Sequence, residues 1–203
     1  MCPECALPTV YCVCSSRPQL EASICFCLLM DSREPSKSSN TGRLIKSCLA
    51  ETKVFIWSRT QPDQGLMALL ESSYWQPYLI FPGEYAAPHQ QVVEALPASA
   101  RRPLLIILDA TWLQARKIFR KSPYLQALPV LSLPRGNPSA YRLRRSREAA
   151  HLCTAEVAIA CLGLAGEKRQ AELLDDYFET FSTAWLAARD RKAVGNQLAL
   201  NVV

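Results

Sequence analysis

Five consecutive aliphatic residues, Leu104–Leu108 (LLIIL), place the strongest constraint on what this chain can fold into. Successive side chains of a strand point to opposite faces, so an unbroken apolar run of strand length needs cover on both sides. Ile24–Met30 (ICFCLLM), Lys53–Trp57 (KVFIW), Tyr78–Phe81 (YLIF) and Pro129–Leu133 (PVLSL) read the same way. Between them lie segments of helical character: Leu44, Ile45, Cys48 and Leu49 at helical spacing, then Gly65–Glu71. Further on come Thr111 to about Lys121, stopped by Ser122-Pro123, then Thr154–Leu164 and Gln170–Ala188. Strands alternating with helices predict an α/β domain with a mostly parallel sheet and helices on both faces. A chain of 203 residues accommodates one such domain with a small appendage. At 49% hydrophobic and 20% charged residues it is neither a disordered chain nor a coiled coil. No apolar run approaches the ~20 residues that cross a bilayer. The opening Met1-Cys2-Pro3-Glu4-Cys5 lacks the basic and apolar regions of a signal peptide. A soluble, cytoplasmic protein with no membrane association and no obligate protein partner is expected.

The appendage is written in cysteine. Cys2, Cys5, Cys12 and Cys14 crowd the first 14 residues. In a reducing compartment such a cluster points to metal binding rather than to disulfides. Four thiolates can close a tetrahedral structural zinc site, with zinc–sulfur bonds near ~2.3 Å. A pair of disulfides is the alternative. The expected division is a zinc knuckle at 1–20 followed by the main domain at 21–203. Cys25, Cys27, Cys48, Cys153 and Cys161 lie in apolar surroundings and read as small buried hydrophobes.

Charge is distributed unevenly. Between Arg101 and Arg147 stand Arg101, Arg102, Arg116, Lys117, Arg120, Lys121, Arg135, Arg142, Arg144, Arg145 and Arg147, against a single acid, Asp109. This is the electrostatic footprint of a polyanion binder, with a solvated basic face as the plainer alternative. On the helix from Thr111, Arg116 and Arg120 are four residues apart, as are Lys117 and Lys121, which makes one face basic. Trp112, Ala115 and Phe119 form the apolar stripe, so Trp112 reads as core rather than as a stacking platform.

Ligands of open α/β sheets sit beyond the carboxyl ends of the strands. The run Leu104–Leu108 delivers Asp109-Ala110-Thr111-Trp112 to that edge. Asp109 is either a helix cap or a catalytic carboxylate, and its spacing alone does not separate the two. Ser38-Ser39-Asn40-Thr41-Gly42 precedes another helix and offers several caps. The loop after Leu133, rich in Pro, Gly, Asn and Arg, can hold a small ligand or simply connect. Cys153-Thr154-Ala155-Glu156 reads as a helix start, with Glu156 in the first turn. GxGxxG, Walker A, HExxH and GxSxG motifs are absent, and neither His89 nor His151 adjoins a nucleophile motif.

Leu108-Asp109-Ala110-Thr111-Trp112-x-x-Ala115-Arg116-Lys117 resembles the signature of the DTW-domain family. Other blocks follow in order: Ser39-Asn40-Thr41-Gly42-Arg43-Leu44, Trp57-Ser58-Arg59-Thr60, Leu128-Pro129, Tyr141-Arg142-Leu143-Arg144 and Cys153-Thr154-Ala155-Glu156-Val157-Ala158. The cysteine knuckle matches too, and the likeness is nearest to bacterial enzymes that modify tRNA uridines. Ala110 departs from the pattern, since many relatives carry glycine there. The resemblance implies a SPOUT-like α/β fold with a trefoil knot and S-adenosylmethionine as cosubstrate. It implies transfer of the 3-amino-3-carboxypropyl group to N3 of a uridine in the variable loop of tRNA. Catalytic residues would be Asp109 and Thr111. Leu128, Pro129, Leu131, Leu133, Pro134, Tyr141, Leu152, Thr154 and Glu156 would hold S-adenosylmethionine. Arg43, Arg59, Arg116, Lys117, Arg120, Lys121, Arg142, Arg144 and Arg145 would meet tRNA, and Cys2, Cys5, Cys12 and Cys14 would bind zinc. A SPOUT-type RNA methyltransferase and a non-catalytic, zinc-stapled RNA-binding module are the two other readings.

Overall fold

The structure, a computed structural model, describes residues 1–134 and 152–200, with side chains to Arg191. The strands are β1 (Cys25–Met30), β2 (Lys53–Ile56), β3 (Trp75–Ile80), β4 (Val92–Val93), β5 (Arg102–Asp109) and β6 (Val130–Leu131). The helices are α1 (Gly42–Cys48), α2 (Gln64–Glu71), α3 (Trp112–Arg120), α4 (Pro123–Gln126), α5 (Thr154–Leu164) and α6 (Lys168–Leu200). Among the described residues the strands form one sheet in the order β2-β1-β5-β3-β6-β4, with every neighbouring pair parallel.

The apolar runs do what their composition requires. Phe26, Leu28, Met30, Leu105, Ile107, Tyr78 and Ile80 pack with residues of α1, α5 and α6 on one face. Cys25, Cys27, Leu29, Leu104, Ile106, Leu108 and Leu79 pack with α2, α3 and α4 on the other. β1 and β5 are adjacent and end at the same level, with Met30 opposite Asp109. Their following helices leave to opposite faces, α1 toward one and α3 toward the other. That divergence makes the carboxyl edge between β1 and β5 the topological switch point, the place where doubly wound sheets bind ligands.

Three local readings change. β3 starts at Trp75, before the expected Tyr78, and passes through Pro77. Leu79 N–H and Phe81 N–H both donate toward β6, to Pro129 and Leu131 oxygens. The Pro77 nitrogen faces the same side, but β6 begins pairing only at Leu79, so no partner misses its N–H. Pro123 does end α3, yet it also opens α4 as a first-turn proline. β4 is two residues long, too short for an apolar run to announce it.

The cysteine-rich segment is not a loose appendage. Cys5, Leu7 and Val13 belong to the same buried cluster as β1, α1 and α6. Leu20 pairs with Leu49, and its N–H donates to the Cys48 oxygen at 2.8 Å. The expected knot involves the loop after Pro134, which lies outside the described residues.

Ile106 is fully buried at the middle of the central strand. Replacing it with alanine is expected to lower stability by about 2–5 kcal/mol in denaturant titration, against about 0.5 kcal/mol or less for exposed Arg59→Ala.

Candidate functional site

Along β5 the alternation turns Asp109 to the face of Leu105 and Ile107, under the loop that joins β1 to α1. Its carboxylate is 2% exposed. Oδ1 accepts from the Thr154 hydroxyl, at the first residue of α5, at 2.7 Å. Oδ2 accepts from Asn40 Nδ2 at 2.8 Å. Asn40 Nδ2 also donates to Glu34 Oε2 at 3.3 Å, and Glu34 is wholly buried with Lys37 as its counter-ion. The amide oxygen of Asn40 accepts the Arg43 N–H at 3.1 Å. Thr41 Oγ1 accepts the Ala155 N–H at 3.2 Å, a second tie between this loop and α5.

Gly42 makes the arrangement fit. A Cβ built there would overlap Asp109 Oδ2 and lie 3.0 Å from its Cγ. Neither Gly42 nor Glu34 was singled out by the sequence. The Ser39-Asn40-Thr41-Gly42-Arg43 stretch reads as helix caps and, through the family resemblance, as a wall of the site across from Asp109, whereas Asp31–Pro35 reads by composition as an ordinary loop.

The fold sorts the expected residues into three groups. Asp109, Asn40 and Thr154 come together. Asp109, expected as a carboxylate open to substrate, is turned inward, with hydrogen-bond donors on both oxygens. The half-buried Thr154 hydroxyl is the more accessible member of that pair. Thr111 is exposed at the start of α3, and its N–H donates to Gln114 Oε1 at 2.9 Å, the behaviour of a cap.

A second group is structural. Leu128 and Leu131 are buried in the two cores. Glu156 accepts the Cys153 N–H at 2.7 Å as the other half of a capping box. Arg43 is half-buried: its Nε donates to the Asn40 backbone oxygen, and Nη2 donates to the backbone oxygens of Pro35 and Lys37. Burial lowers its pKa, opposed by the charges of Cys5 and Asp109. Trp112 stacks on Phe81 at 5.3 Å between ring centroids, in agreement with a core role.

The third group is at the surface. Pro134 and Leu152 are exposed beside the ends of β6 and α5, with Pro129 and Leu133 half-buried nearby. Arg59, Lys117, Arg120 and Lys121 are exposed, and the Arg116 guanidinium lies 5.0 Å from the Tyr85 ring centre. Tyr141, Arg142, Arg144 and Arg145 lie outside the described residues.

At the N-terminus the four sulfurs of Cys2, Cys5, Cys12 and Cys14 all lie within 4.8 Å of one another. The Cys2–Cys14 and Cys5–Cys12 separations are 3.7 and 3.8 Å. Tetrahedral coordination at metal–sulfur bonds near ~2.3 Å requires sulfur–sulfur edges near ~3.8 Å, so the set can hold a metal ion. All nine cysteines are free thiols. Backbone N–H groups of Cys5 and Glu4 lower the Cys2 pKa to about 6, while burial raises those of Cys5 and Cys14. The chain turns at Ala6 with φ 57°, a left-handed conformation, and Leu7 comes back to Cys2, whose N–H donates to the Leu7 oxygen at 2.7 Å.

These features define a parallel α/β domain with a carboxylate fixed at its switch point and a four-thiol knuckle packed into its core. Residues 1–186 match the model of the DTW domain, and the chain belongs to that family. It is 27% identical over 172 residues to tRNA-uridine aminocarboxypropyltransferase 2 of Drosophila melanogaster, covering 80% of this chain and 65% of that protein. No solved structure matches it at a significant level. No helix of the described residues is long and apolar enough to cross a membrane.

Gly42→Ala is expected to destabilise the protein by roughly 1–3 kcal/mol, because its Cβ displaces the Asp109 carboxylate. In a double-mutant cycle measured by denaturant unfolding, Asp109→Ala should absorb much of that cost.

Proposed function

We propose that this chain transfers the 3-amino-3-carboxypropyl group of S-adenosylmethionine to N3 of a uridine in the variable loop of tRNA, releasing methylthioadenosine. Membership of the DTW family and the name of the fly relative support the reaction class. The observation that carries the reading is the Asp109 carboxylate, a lone acid in a cationic segment, fixed at the switch point between β1 and β5.

The residues around that point suit the cosubstrate. Exposed Leu152, two residues before Thr154, offers apolar surface for a purine, the Thr154–Asp109 pair offers a polar anchor, and exposed Pro134 stands after β6, beyond β3 from β5. Bound there, S-adenosylmethionine supplies an electrophilic γ-carbon. The chain's part is to align the uridine and to receive its N3 proton. In the reaction an N3–carbon bond forms, a carbon–sulfur bond breaks, and the N3 proton must leave. Thr154 Oγ1 accepts that proton while its own passes to Asp109 Oδ1, which explains how a carboxylate only 2% exposed takes part. General-base assistance of this kind contributes typically about 10²–10⁴-fold. Lys117, Arg120, Lys121 and Arg59, with Arg116 on Tyr85, form the phosphate-binding face. The four-cysteine site takes zinc, and the protein works in the cytoplasm, where thiols stay reduced.

Incubation with bulk tRNA and S-adenosylmethionine tests the reaction. Label from the carboxyl carbon should enter RNA. Entry of the methyl label instead would make the protein a methyltransferase, and entry of neither would leave an RNA-binding module. Asp109→Asn should lower turnover by roughly 10²-fold or more while tRNA affinity stays near wild type. Near-normal turnover would reduce Asp109 to a structural tie.

The joint substitution Arg116→Ala and Arg120→Ala should weaken tRNA binding. It should flatten the salt dependence by about 0.7–0.9 for each phosphate no longer neutralised. An unchanged slope would place the RNA surface elsewhere.

A further inference from the structure

We infer that Asn40 is the positioning residue for Asp109, and that buried Glu34 acts on the site through it. The inference rests on the transferase reading for its kinetic consequence, but its geometry stands on the loop alone. Asn40 Nδ2 lies between two carboxylates, 2.8 Å from Asp109 Oδ2 and 3.3 Å from Glu34 Oε2. An ionised carboxylate has acceptors only, so two of them can be bridged directly only by a group carrying two donors. The amide orientation is not arbitrary. Arg43 N–H donates to the amide oxygen at 3.1 Å, which leaves the nitrogen and both of its hydrogens for the acids.

A simple loop tie has no need of this chemistry. Glu34 is 0% exposed and Asn40 1%, and a buried carboxylate is costly to desolvate even with Lys37 beside it. Apolar side chains of similar volume hold a loop as well or better. What they cannot do is fix the torsion of a second carboxylate. Asn40 grips Oδ2, Thr154 grips Oδ1, and the absent Cβ of Gly42 leaves room for Oδ2. The carboxylate plane is thereby set from two sides, with the Thr154 hydroxyl aimed by the same constraint. Misplacement of a reacting group by ~1 Å can cost ~10² in rate, so the grip matters to turnover more than to binding.

The test compares wild type with Asn40→Asp, and with Asn40→Asp combined with Glu34→Gln. The single change puts three acceptor groups together and releases Asp109. It should lower kcat by roughly 10²-fold, with KM for tRNA within about twofold of wild type. In the double variant, the amide introduced at position 34 can donate to the acid at position 40. This repairs the loop but not the bond to Asp109. The unfolding temperature should recover while kcat stays low. Recovery of kcat together with stability, or a single variant with near-normal kcat, overturns the inference. A side-chain amide NMR spectrum decides the geometry independently of turnover. The Asn40 amide protons should be protected from solvent exchange and should shift in Glu34→Gln. Rapidly exchanging protons, unmoved by Glu34→Gln, refute the bridge. If wild type transfers nothing to tRNA, the functional reading fails, and the amide spectrum still supports or refutes the Asn40 bridge.

Discussion

A carboxylate on a residue only 2% exposed persists only where donors come to meet it, and at Asp109, among the described residues, they include groups from two other parts of the chain. Asn40 comes from the loop between β1 and α1, and Thr154 from the start of α5, far along the chain. Hydrogen bonds to a charged group contribute about 1.5–3 kcal/mol each, and removing one partner of a buried ion leaves a larger penalty. The loop after β1 and the start of α5 are therefore tied to one another through Asp109, and directly through Thr41 and the Ala155 N–H. The sheet sets the height of Asp109 and its neighbours set its direction.

The knuckle contributes from the far side of the same loop. Ala6, Leu7 and Pro8 line a hollow with Ser38 and Trp185, and the Trp185 indole N–H donates to Ser38 Oγ at 3.2 Å. Ser38 is two residues from Asn40. Metal binding by four thiols is coupled to folding, because the ligand set is assembled only in the folded chain. A knuckle whose Cys5 and Leu7 are buried with β1 and α6 thus helps to hold the loop that grips Asp109.

Much of the architecture is legible in the residue pattern. Unbroken apolar runs can satisfy both of their faces only inside a covered parallel sheet, and the alternation with helices names the fold class. Boundaries are less legible where local and tertiary demands differ. Pro77 ought to exclude a central strand, and it is tolerated because the missing N–H faces a stretch that β6 does not reach. Two-residue β4 has no periodicity to detect. Arg43 carries a charge that any composition argument sends to the surface, yet three backbone oxygens hold it inside the loop.

Residue pattern alone carries the layered α/β plan, the four-thiol cluster, the basic segment and the place of Asp109 at the carboxyl end of a buried strand. These are properties of residue type, spacing and periodicity, which act over a few neighbours. That Asp109 points inward, that Asn40 bridges it to Glu34, that Thr154 reaches it and that Gly42 must lack a side chain follows from the folded chain alone. Each of those depends on distances between residues remote in the chain, and such distances exist only once the sheet order has brought the loops to one edge.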